Sequence, residues 1–295
     1  MSQLHRESTE VKFNVPWGHI AGKVYGSSSD PKVLVVHGIL DNAGSFDRLI
    51  ELLPRQYQYV CIDLPGHGLS SSFPPGLPLH FFDYVHSILL VLDALKWKTC
   101  IYIAHSFGSQ LGTYFSILYP GRLEKIIAID GLVPFPVKDI VSNIQLLYNL
   151  DSYAKDSGVL YTKDEVIYAL QFRRQETLKT GAAEALFKRA VTKVNDLYKY
   201  NRDVRLRNMV KPIYKWEQHK EIFREFSTPI LLIVAGNSSR SKQSFKQINE
   251  ITSVIDKNKF SMVIVKGNHD VHNNYPERVA PHICKFLSNE LKSKL

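Results

Sequence analysis

Short apolar runs alternate with amphipathic stretches along most of the chain. Six runs have the length and β-rich composition of buried parallel strands: residues 32–36, 59–62, 100–104, 126–129, 230–235 and 260–265. Helical spacing of apolar positions lies between most of them, at residues 45–53, 82–95, 107–118 and 276–291. This order predicts an α/β fold with a mostly parallel sheet, and residues 11–25 predict an antiparallel hairpin at its edge.

The alternation stops between residues 133 and 226. This segment contains no strand-like run, is rich in tyrosine and is mostly helical in pattern. It carries 17 Lys and Arg against 12 Asp and Glu, and so holds more than half of the net charge of +9. We therefore expect a core formed by residues 1–132 and 227–295, with a helical cap at 133–226.

Composition argues against several classes of protein. Hydrophobic residues at 44% and charged residues at 22% are ordinary for a globular chain with a packed core. The three cysteines lie far apart, so we expect reduced thiols and no structural metal. We also expect no cofactor. No apolar run is long enough for a membrane span, and the start of the chain is polar. The positive charge lacks the basic and aromatic stripes of a nucleic-acid interface, so we expect no nucleic-acid partner.

The last three residues are Ser293-Lys294-Leu295, the tripeptide that peroxisomal import receptors bind at a free C-terminus. The motif is a targeting signal that a receptor recognises, and it does not anchor the chain to a membrane. We therefore expect this receptor as a partner and the peroxisome as the location, with the cytoplasm as the alternative.

The strongest local motif is Ala104-His105-Ser106-Phe107-Gly108, between a predicted strand and a predicted helix. A nucleophilic serine on such a turn needs small flanking residues because the turn is strained, and the helix N-terminus behind it favours negative charge. Gly108 meets this requirement, and Ala104 replaces the usual glycine with the next smallest residue. Ser106 is therefore the candidate nucleophile.

A second loop supplies candidate donors for an oxyanion. His37-Gly38-Ile39-Leu40 follows the strand at 32–36, so the backbone N–H groups of Ile39 and Phe107 are the expected pair. His37 precedes a glycine at a strand end, which favours a structural role over that of a base.

The candidate base is His269, which follows the last predicted strand and a glycine turn and precedes a helix. His272 in the same loop is the alternative base. Asp63 and His67 lie in a glycine-rich turn after the strand at 59–62, where hydrogen bonds to the turn backbone explain them better than acid–base chemistry does.

Several further stretches are more specific than these motifs. They are Val15-Pro16-Trp17-Gly18-His19-Ile20-Ala21, His37 with Leu40-Asp41-Asn42-Ala43, Ser45-Phe46-Asp47-Arg48-Leu49-Ile50, Asn201-Arg202-Asp203 and Gly267-Asn268-His269. With them the chain resembles the α/β-hydrolase superfamily over nearly its full length, and within it the serine hydrolase-like (Kraken-like) family. The resemblance implies an eight-stranded sheet, a cap after the sixth strand, a hydrolase site at Ser106 and His269, and a peroxisomal association for some members.

One departure from the family concerns the acid that orients the histidine. Most relatives carry it after the seventh strand, but residues 236–240 contain no carboxylate. The family order of serine, acid and histidine leaves Asp130, Asp256 and acids of the cap as candidates. Asp270 is poorly placed because neighbouring loop side chains usually point apart.

Asp130 is the preferred acid. It ends the strand at 126–129 and precedes Gly131, at the sheet edge where sites in such folds form. Some members of the superfamily take their acid from this position. A purely structural role, as a cap for the turn into the insertion, is the alternative.

Together these residues predict a serine hydrolase that cleaves a carboxylic ester or thioester through an acyl-enzyme on Ser106. A basic cap and a peroxisomal location would suit acyl-CoA thioesters, although the sequence does not separate the two bonds. Serine at position 106 disfavours dehalogenase and epoxide hydrolase chemistry, which require aspartate. The alternative is a non-catalytic protein that binds an apolar ligand, for which the missing acid is the argument.

Overall fold

A computed structural model describes residues 6–137, 139–148, 158–208, 211–238 and 241–288. Ten strands lie within these residues: β1 (Thr9–Val15), β2 (Gly18–Tyr25), β3 (Lys32–Val36), β4 (Gln58–Ile62), β5 (Cys100–His105), β6 (Leu123–Ile129), β7 (Val191–Val194), β8 (Leu197–Tyr200), β9 (Ile230–Ala235) and β10 (Phe260–Val265). Eight of them form one sheet in the order β1-β2-β4-β3-β5-β6-β9-β10, in which β2 runs opposite to the other seven. The predicted eight-stranded, mostly parallel sheet is confirmed.

Helices cover both faces of this sheet. Those within the described residues are α1 (Asp47–Ile50), α2 (Phe81–Ala94), α3 (Phe107–Leu118), α4 (Ile140–Tyr148), α5 (Lys163–Phe172), α6 (Thr180–Ala190), α7 (Trp216–Arg224), α8 (Ser241–Thr252), α9 (Val271–Asn274) and α10 (Pro276–Ser288). Leu34 and Val36 of β3 share a buried cluster with α2 and α3, whereas Val33 and Val35 share one with α1 and α10. Alternate strand residues point to opposite faces, so burial of both faces explains the continuous apolar runs.

The predicted and observed boundaries differ in a few places. β6 begins at Leu123 rather than at residue 126. The helix expected at 45–53 is shorter, because a 3₁₀ turn at Ala43–Phe46 leads into α1, which ends at Ile50. The Asn42 side chain accepts from the Gly44 N–H and starts this 3₁₀ turn. Pro54 disfavours helical backbone at the residue before it, so the helix ends before this point.

The segment between residues 133 and 226, here called the insert, contains α4 to α7 and the hairpin of β7 and β8. The expectation that it holds no strand is wrong. β7 and β8 pair around Asn195, whose φ of 55° suits a two-residue hairpin turn. Val191 of β7 is buried in a small cluster with residues of α5 and α6, so packing on these helices stabilises the short hairpin. The exact limits of a cap domain stay a prediction.

A buried ion pair attaches the insert to the core. Arg189 of α6 donates to Asp63, with Nη2 2.8 Å from Oδ2, and the two side chains are 4% and 0% exposed. Removing Arg189 would leave the buried Asp63 carboxylate without its cation, so the pair fixes the position of α6 over the end of β4.

All three cysteines are unpaired, and Cys61 and Cys100 are buried within β4 and β5. Among the described residues, no helix combines the length and the apolar character that crossing a membrane requires.

Candidate active site

Ser106 lies on a sharp turn between β5 and α3. Its φ of 50° and ψ of −111° are strained for a residue with a side chain, and its N–H donates to the carbonyl oxygen of Ile129 at 2.8 Å. The turn needs glycine neighbours: a Cβ on Gly108 would lie 2.5 Å from the Val36 carbonyl oxygen, and one on Gly131 would lie 2.4 Å from that of Ser106. The sequence thus permits a backbone approach that larger residues would block.

His269, in the loop between β10 and α9, makes a hydrogen bond through each ring nitrogen. Nε2 lies 2.8 Å from the Ser106 hydroxyl oxygen, and Nδ1 lies 2.6 Å from Oδ2 of Asp130. An ionised Asp130 can only accept, so Nδ1 carries the proton and Nε2 is free to accept the serine proton. The loop histidine therefore has the tautomer that a general base needs.

Asp130 follows β6 directly, in a left-handed conformation with φ of 46°. Its N–H donates to Ile233 at 2.8 Å, and its Oδ1 accepts from the Ala235 N–H at 2.9 Å. The end of β9, after which most relatives carry their acid, instead holds the carboxylate of Asp130 in place. Asn237, just beyond β9, accepts from the Gly267 N–H through Oδ1 at 3.2 Å and so supports the start of the loop that carries His269.

The other acids and histidines lie elsewhere. Asp256 caps its own turn by accepting from the Asn258 N–H at 2.9 Å. His272 is fully buried and stacked on His105 at 4.0 Å, where burial lowers its pKa to about 3. Asp270 accepts from Arg174 at 3.0 Å. Among the candidates within the described residues, Asp130 is the acid that bonds the ring of His269.

His37, Asp63 and His67 have structural partners. The His37 Nε2 accepts from the Leu64 N–H at 2.9 Å, and burial lowers the pKa of His37 to about 4. His67 bonds the Pro65 carbonyl oxygen at 3.0 Å, within its own turn. Asp63 accepts from the Leu69 N–H at 2.8 Å, as expected for the turn, and also binds Arg189, a partner that the sequence did not indicate.

Two backbone N–H groups flank Ser106. The loop after β3 lies against the serine, since a Cβ on Gly38 would be 3.2 Å from Cβ of Ser106. Among the described residues, neither the Ile39 N–H nor the Phe107 N–H donates to a protein acceptor. Unsatisfied N–H groups beside a nucleophile have the arrangement that binds an oxyanion.

A cavity of about 280 Å³ opens over Ser106. Its walls come from the core and from the insert: Gly38, Ile39, Leu40, Asp41, His105, Ser106, His269 and Asp270 on one side, and Ala169, Leu170, Arg173, Arg174, Gln175, Glu176, Tyr200 and Arg202 on the other. The insert therefore supplies half of the residues that line the cavity.

The positions of two residues at the site were not predicted from the sequence. Arg174 donates to Asp41 at 2.8 Å and to Asp270 at 3.0 Å, and Glu176 accepts from the His269 N–H at 2.5 Å. Both lie in the insert, more than 90 positions before His269 and Asp270 in the chain, and no local motif marks them.

The cluster around Arg174 is strongly electrostatic. Burial favours the neutral form of Asp41, but the Arg174 guanidinium outweighs it and lowers the pKa of Asp41. Burial raises the pKa of Asp270 to about 6 despite the same arginine. Asp41, His105 and Asp270 are close enough to ligate a metal, but the Arg174 side chain already supplies a positive charge to both carboxylates.

Comparisons with known proteins agree with this fold. Residues 31–273 match the alpha/beta hydrolase fold family. The chain is 36% identical to human serine hydrolase-like protein 2, over 95% of this chain and 94% of that protein. It is 32% identical to the mouse serine hydrolase-like protein, over 95% of each.

Solved structures show the same architecture. A hypothetical protein from Pseudomonas aeruginosa PAO1 superimposes with a TM-score of 0.83 at 23% identity, covering 96% of this chain and 99% of that one. A thioesterase domain from the curacin biosynthetic pathway superimposes with a TM-score of 0.80 at 20% identity, covering 94% and 99%. The structural likeness concerns the fold, whereas the sequence relatives support a general hydrolase function. The chain therefore belongs to the alpha/beta hydrolase fold family and is related to its serine hydrolase-like proteins.

Proposed function

We propose that the chain is a serine hydrolase that cleaves a carboxylic ester or thioester through an acyl-enzyme on Ser106. The observation that carries the proposal is the position of His269, whose ring links the Ser106 hydroxyl at 2.8 Å to the Asp130 carboxylate at 2.6 Å. This is the arrangement of nucleophile, base and orienting acid that acyl transfer requires.

In the first half of the reaction, Nε2 of His269 accepts the Ser106 proton as Oγ attacks the acyl carbon. The N–H groups of Ile39 and Phe107 bind the oxyanion, each contributing on the order of 3 kcal/mol to the barrier reduction. The protonated histidine, stabilised by Asp130, gives its proton to the departing alcohol or thiol. Water activated by His269 then attacks the acyl-enzyme and releases the carboxylic acid.

The alternative of a non-catalytic ligand-binding protein depended on the missing acid after β9. The contact between Asp130 and His269 weakens that argument, because it gives the histidine ring a carboxylate partner. A serine nucleophile also favours acyl transfer over the alkyl-enzyme chemistry that needs aspartate. Catalysis is therefore the better supported function, and the choice between ester and thioester belongs to substrate assays.

A fluorophosphonate probe tests the proposal, because it reacts with a serine only when a base activates the hydroxyl. We expect mass spectrometry to find the label on Ser106 of the native protein and none after heat denaturation. Ser106→Ala should abolish both labelling and hydrolysis of p-nitrophenyl butyrate. Ser116→Ala is the matched control, because Ser116 is a buried serine on α3 that does not line the cavity. Label on another serine, or none, would contradict the proposal.

A further inference from the structure

One stretch of the insert holds the loop that carries His269. We call residues 174–179 the clasp and residues 268–274 the histidine loop. Five hydrogen bonds join them: Arg174 to Asp270 at 3.0 Å, the His269 N–H to Glu176 at 2.5 Å, Asn268 and Asn274 to the Thr177 carbonyl oxygen at 2.8 and 3.0 Å, and the Lys179 N–H to Asn274 at 2.8 Å. The histidine loop therefore depends on the insert for its position.

Arg174 extends this connection to the loop after β3. Its Nη1 donates to Asp41 at 2.8 Å while its Nη2 donates to Asp270. Asp41 lies two residues from Ile39, and its N–H closes the turn by donating to the Gly38 carbonyl oxygen at 3.2 Å. One guanidinium thus spans the loop with the proposed oxyanion donor and the loop with the proposed base.

The environment makes this link stiff. The side chains of Asp41 and Asp270 are 2% and 5% exposed, and that of Arg174 is 18% exposed. Hydrogen bonds between charged groups in a poorly hydrated site are short and strong. A planar guanidinium can serve two carboxylates at once in a fixed geometry, which the single ammonium of lysine does less well.

We propose that Arg174 is a positioning residue that sets the distance between the Ile39 N–H and the His269 ring, and that the clasp lets the insert control this geometry. The inference rests on the proposed hydrolase function. Arg174 acts through the two loops and takes no part in proton transfer. The insert is accordingly part of the catalytic apparatus and does more than cover the pocket.

Kinetics of Arg174→Gln and Arg174→Lys on p-nitrophenyl butyrate test the proposal. A misplacement of about 1 Å costs roughly 100-fold in rate, so we expect Arg174→Gln to lower kcat about 10- to 100-fold with less than about a threefold change in KM. Arg174→Lys keeps the charge and should recover part of the loss. A smaller fraction of folded enzyme would also lower the apparent kcat at unchanged KM. Active-site titration with the fluorophosphonate therefore measures the active fraction, and kcat is expressed per active site.

Arg205→Gln is the matched control. Arg205 is also a buried arginine of the insert paired with an aspartate, Asp203 at 2.6 Å, but it does not line the cavity. We expect this variant to lose thermal stability while its kcat per folded molecule stays within about twofold of wild type. An Arg174→Gln enzyme with wild-type kcat per active site, or an equal kcat loss in Arg205→Gln, would overturn the proposal.

Amide hydrogen exchange gives a readout independent of activity. In Arg174→Gln we expect faster exchange in residues 38–41 and in the histidine loop, with no change in α2. If wild-type protein neither reacts with the probe nor hydrolyses the ester, the proposed function fails, yet exchange still decides whether the clasp orders the loops. Unchanged exchange at both loops would refute the clasp. If Arg174→Gln does not fold, kcat per active site and amide exchange are measured on Arg174→Lys instead. Wild-type values of both in that variant would overturn the proposal.

Discussion

Oδ2 of Asp130 lies 2.6 Å from Nδ1 of His269, although 139 positions separate the two residues in the chain. The contact arises because β6 and β9 are neighbours in the sheet and β10 pairs with β9, so the ends of these strands meet at one edge. Asp130 is further fixed by the Ala235 N–H. A carboxylate held in this way can orient the imidazole and stabilise its protonated form.

Replacing Asp130 by asparagine should therefore impair turnover. The amide keeps the shape of the side chain but lacks the charge that stabilises imidazolium, so we expect kcat to fall roughly 10²- to 10⁴-fold with little change in KM. Steady-state kinetics on p-nitrophenyl butyrate measure the effect, and circular dichroism checks the fold.

Asp256→Asn is the control for this variant, because Asp256 also lies between Ser106 and His269 in chain order but bonds only within its own turn. It should behave as wild type. Wild-type turnover in Asp130→Asn would show that Asp130 has only a structural role at the start of the insert.

The sequence predicted the sheet and part of the site for identifiable reasons. Strands buried on both faces give continuous apolar runs, and the turn around Ser106 carries its own local pattern of small residues. His269 was chosen as the candidate base because of its place after the last strand. The contact of Asp130 with His269 followed from strand adjacency, since residues at the carboxyl ends of neighbouring parallel strands meet.

What the sequence did not reveal depends on contacts between distant segments. Arg174 and Glu176 occupy a charged stretch of the insert that resembles any solvated helix end, and only the folded chain brings them to Asp270 and His269. The β7–β8 hairpin was missed because its two strands have only four residues each and each contains a lysine. Asn195 at its turn could have indicated the hairpin, because asparagine is favoured in two-residue hairpin turns.

Close backbone packing at Gly131 gives a second prediction. A methyl group there would lie 2.4 Å from the Ser106 carbonyl oxygen, so Gly131→Ala must displace the turn that carries the nucleophile. We expect a loss of about 1–3 kcal/mol in the free energy of unfolding and labelling by fluorophosphonate at least about tenfold slower.

Gly181→Ala is the comparison for Gly131→Ala, because the added methyl at Gly181 of α6 would meet only the Arg48 side chain at 3.9 Å. Alanine favours the helix by up to about 1 kcal/mol, so this variant should be as stable as wild type or more so, with normal labelling. Normal labelling of Gly131→Ala would show that the turn tolerates the displacement.

Peroxisomal import through Ser293-Lys294-Leu295, which lie outside the described residues, stays a prediction. A fluorescent protein fused to the N-terminus should direct the chain to peroxisomes, because a receptor reads the tripeptide with its free carboxylate. The same fusion with one alanine added after Leu295 should stay diffuse. A diffuse signal from the unmodified tail would remove the assignment.

Buried histidines make the stability of the fold depend on pH. Burial lowers the pKa of His37 and His219 to about 4, that of His67 and His272 to about 3, and that of His105 well below the ordinary value of 6.5. Each of these side chains binds a proton more readily in the unfolded chain. Falling pH therefore favours unfolding between about pH 6.5 and pH 4.

Asp270 opposes this effect in part. Burial raises its pKa from 3.8 to about 6, so the folded chain retains this proton more readily, and the contribution of Asp270 to stability falls as pH rises from about 4 to 6. Five histidines against one carboxyl leave a net uptake of protons on unfolding near pH 5, so the free energy of unfolding falls as the pH falls through this range.

We therefore expect the urea midpoint to fall steeply between pH 7 and pH 5. His67→Asn tests the origin of the slope, because an asparagine amide can donate to the Pro65 carbonyl oxygen in place of Nδ1 while no longer titrating. Its slope should be lower by about one proton, or about 1.4 kcal/mol per pH unit. A midpoint that stays constant from pH 7 to pH 5 would show that these histidines are not held neutral by burial.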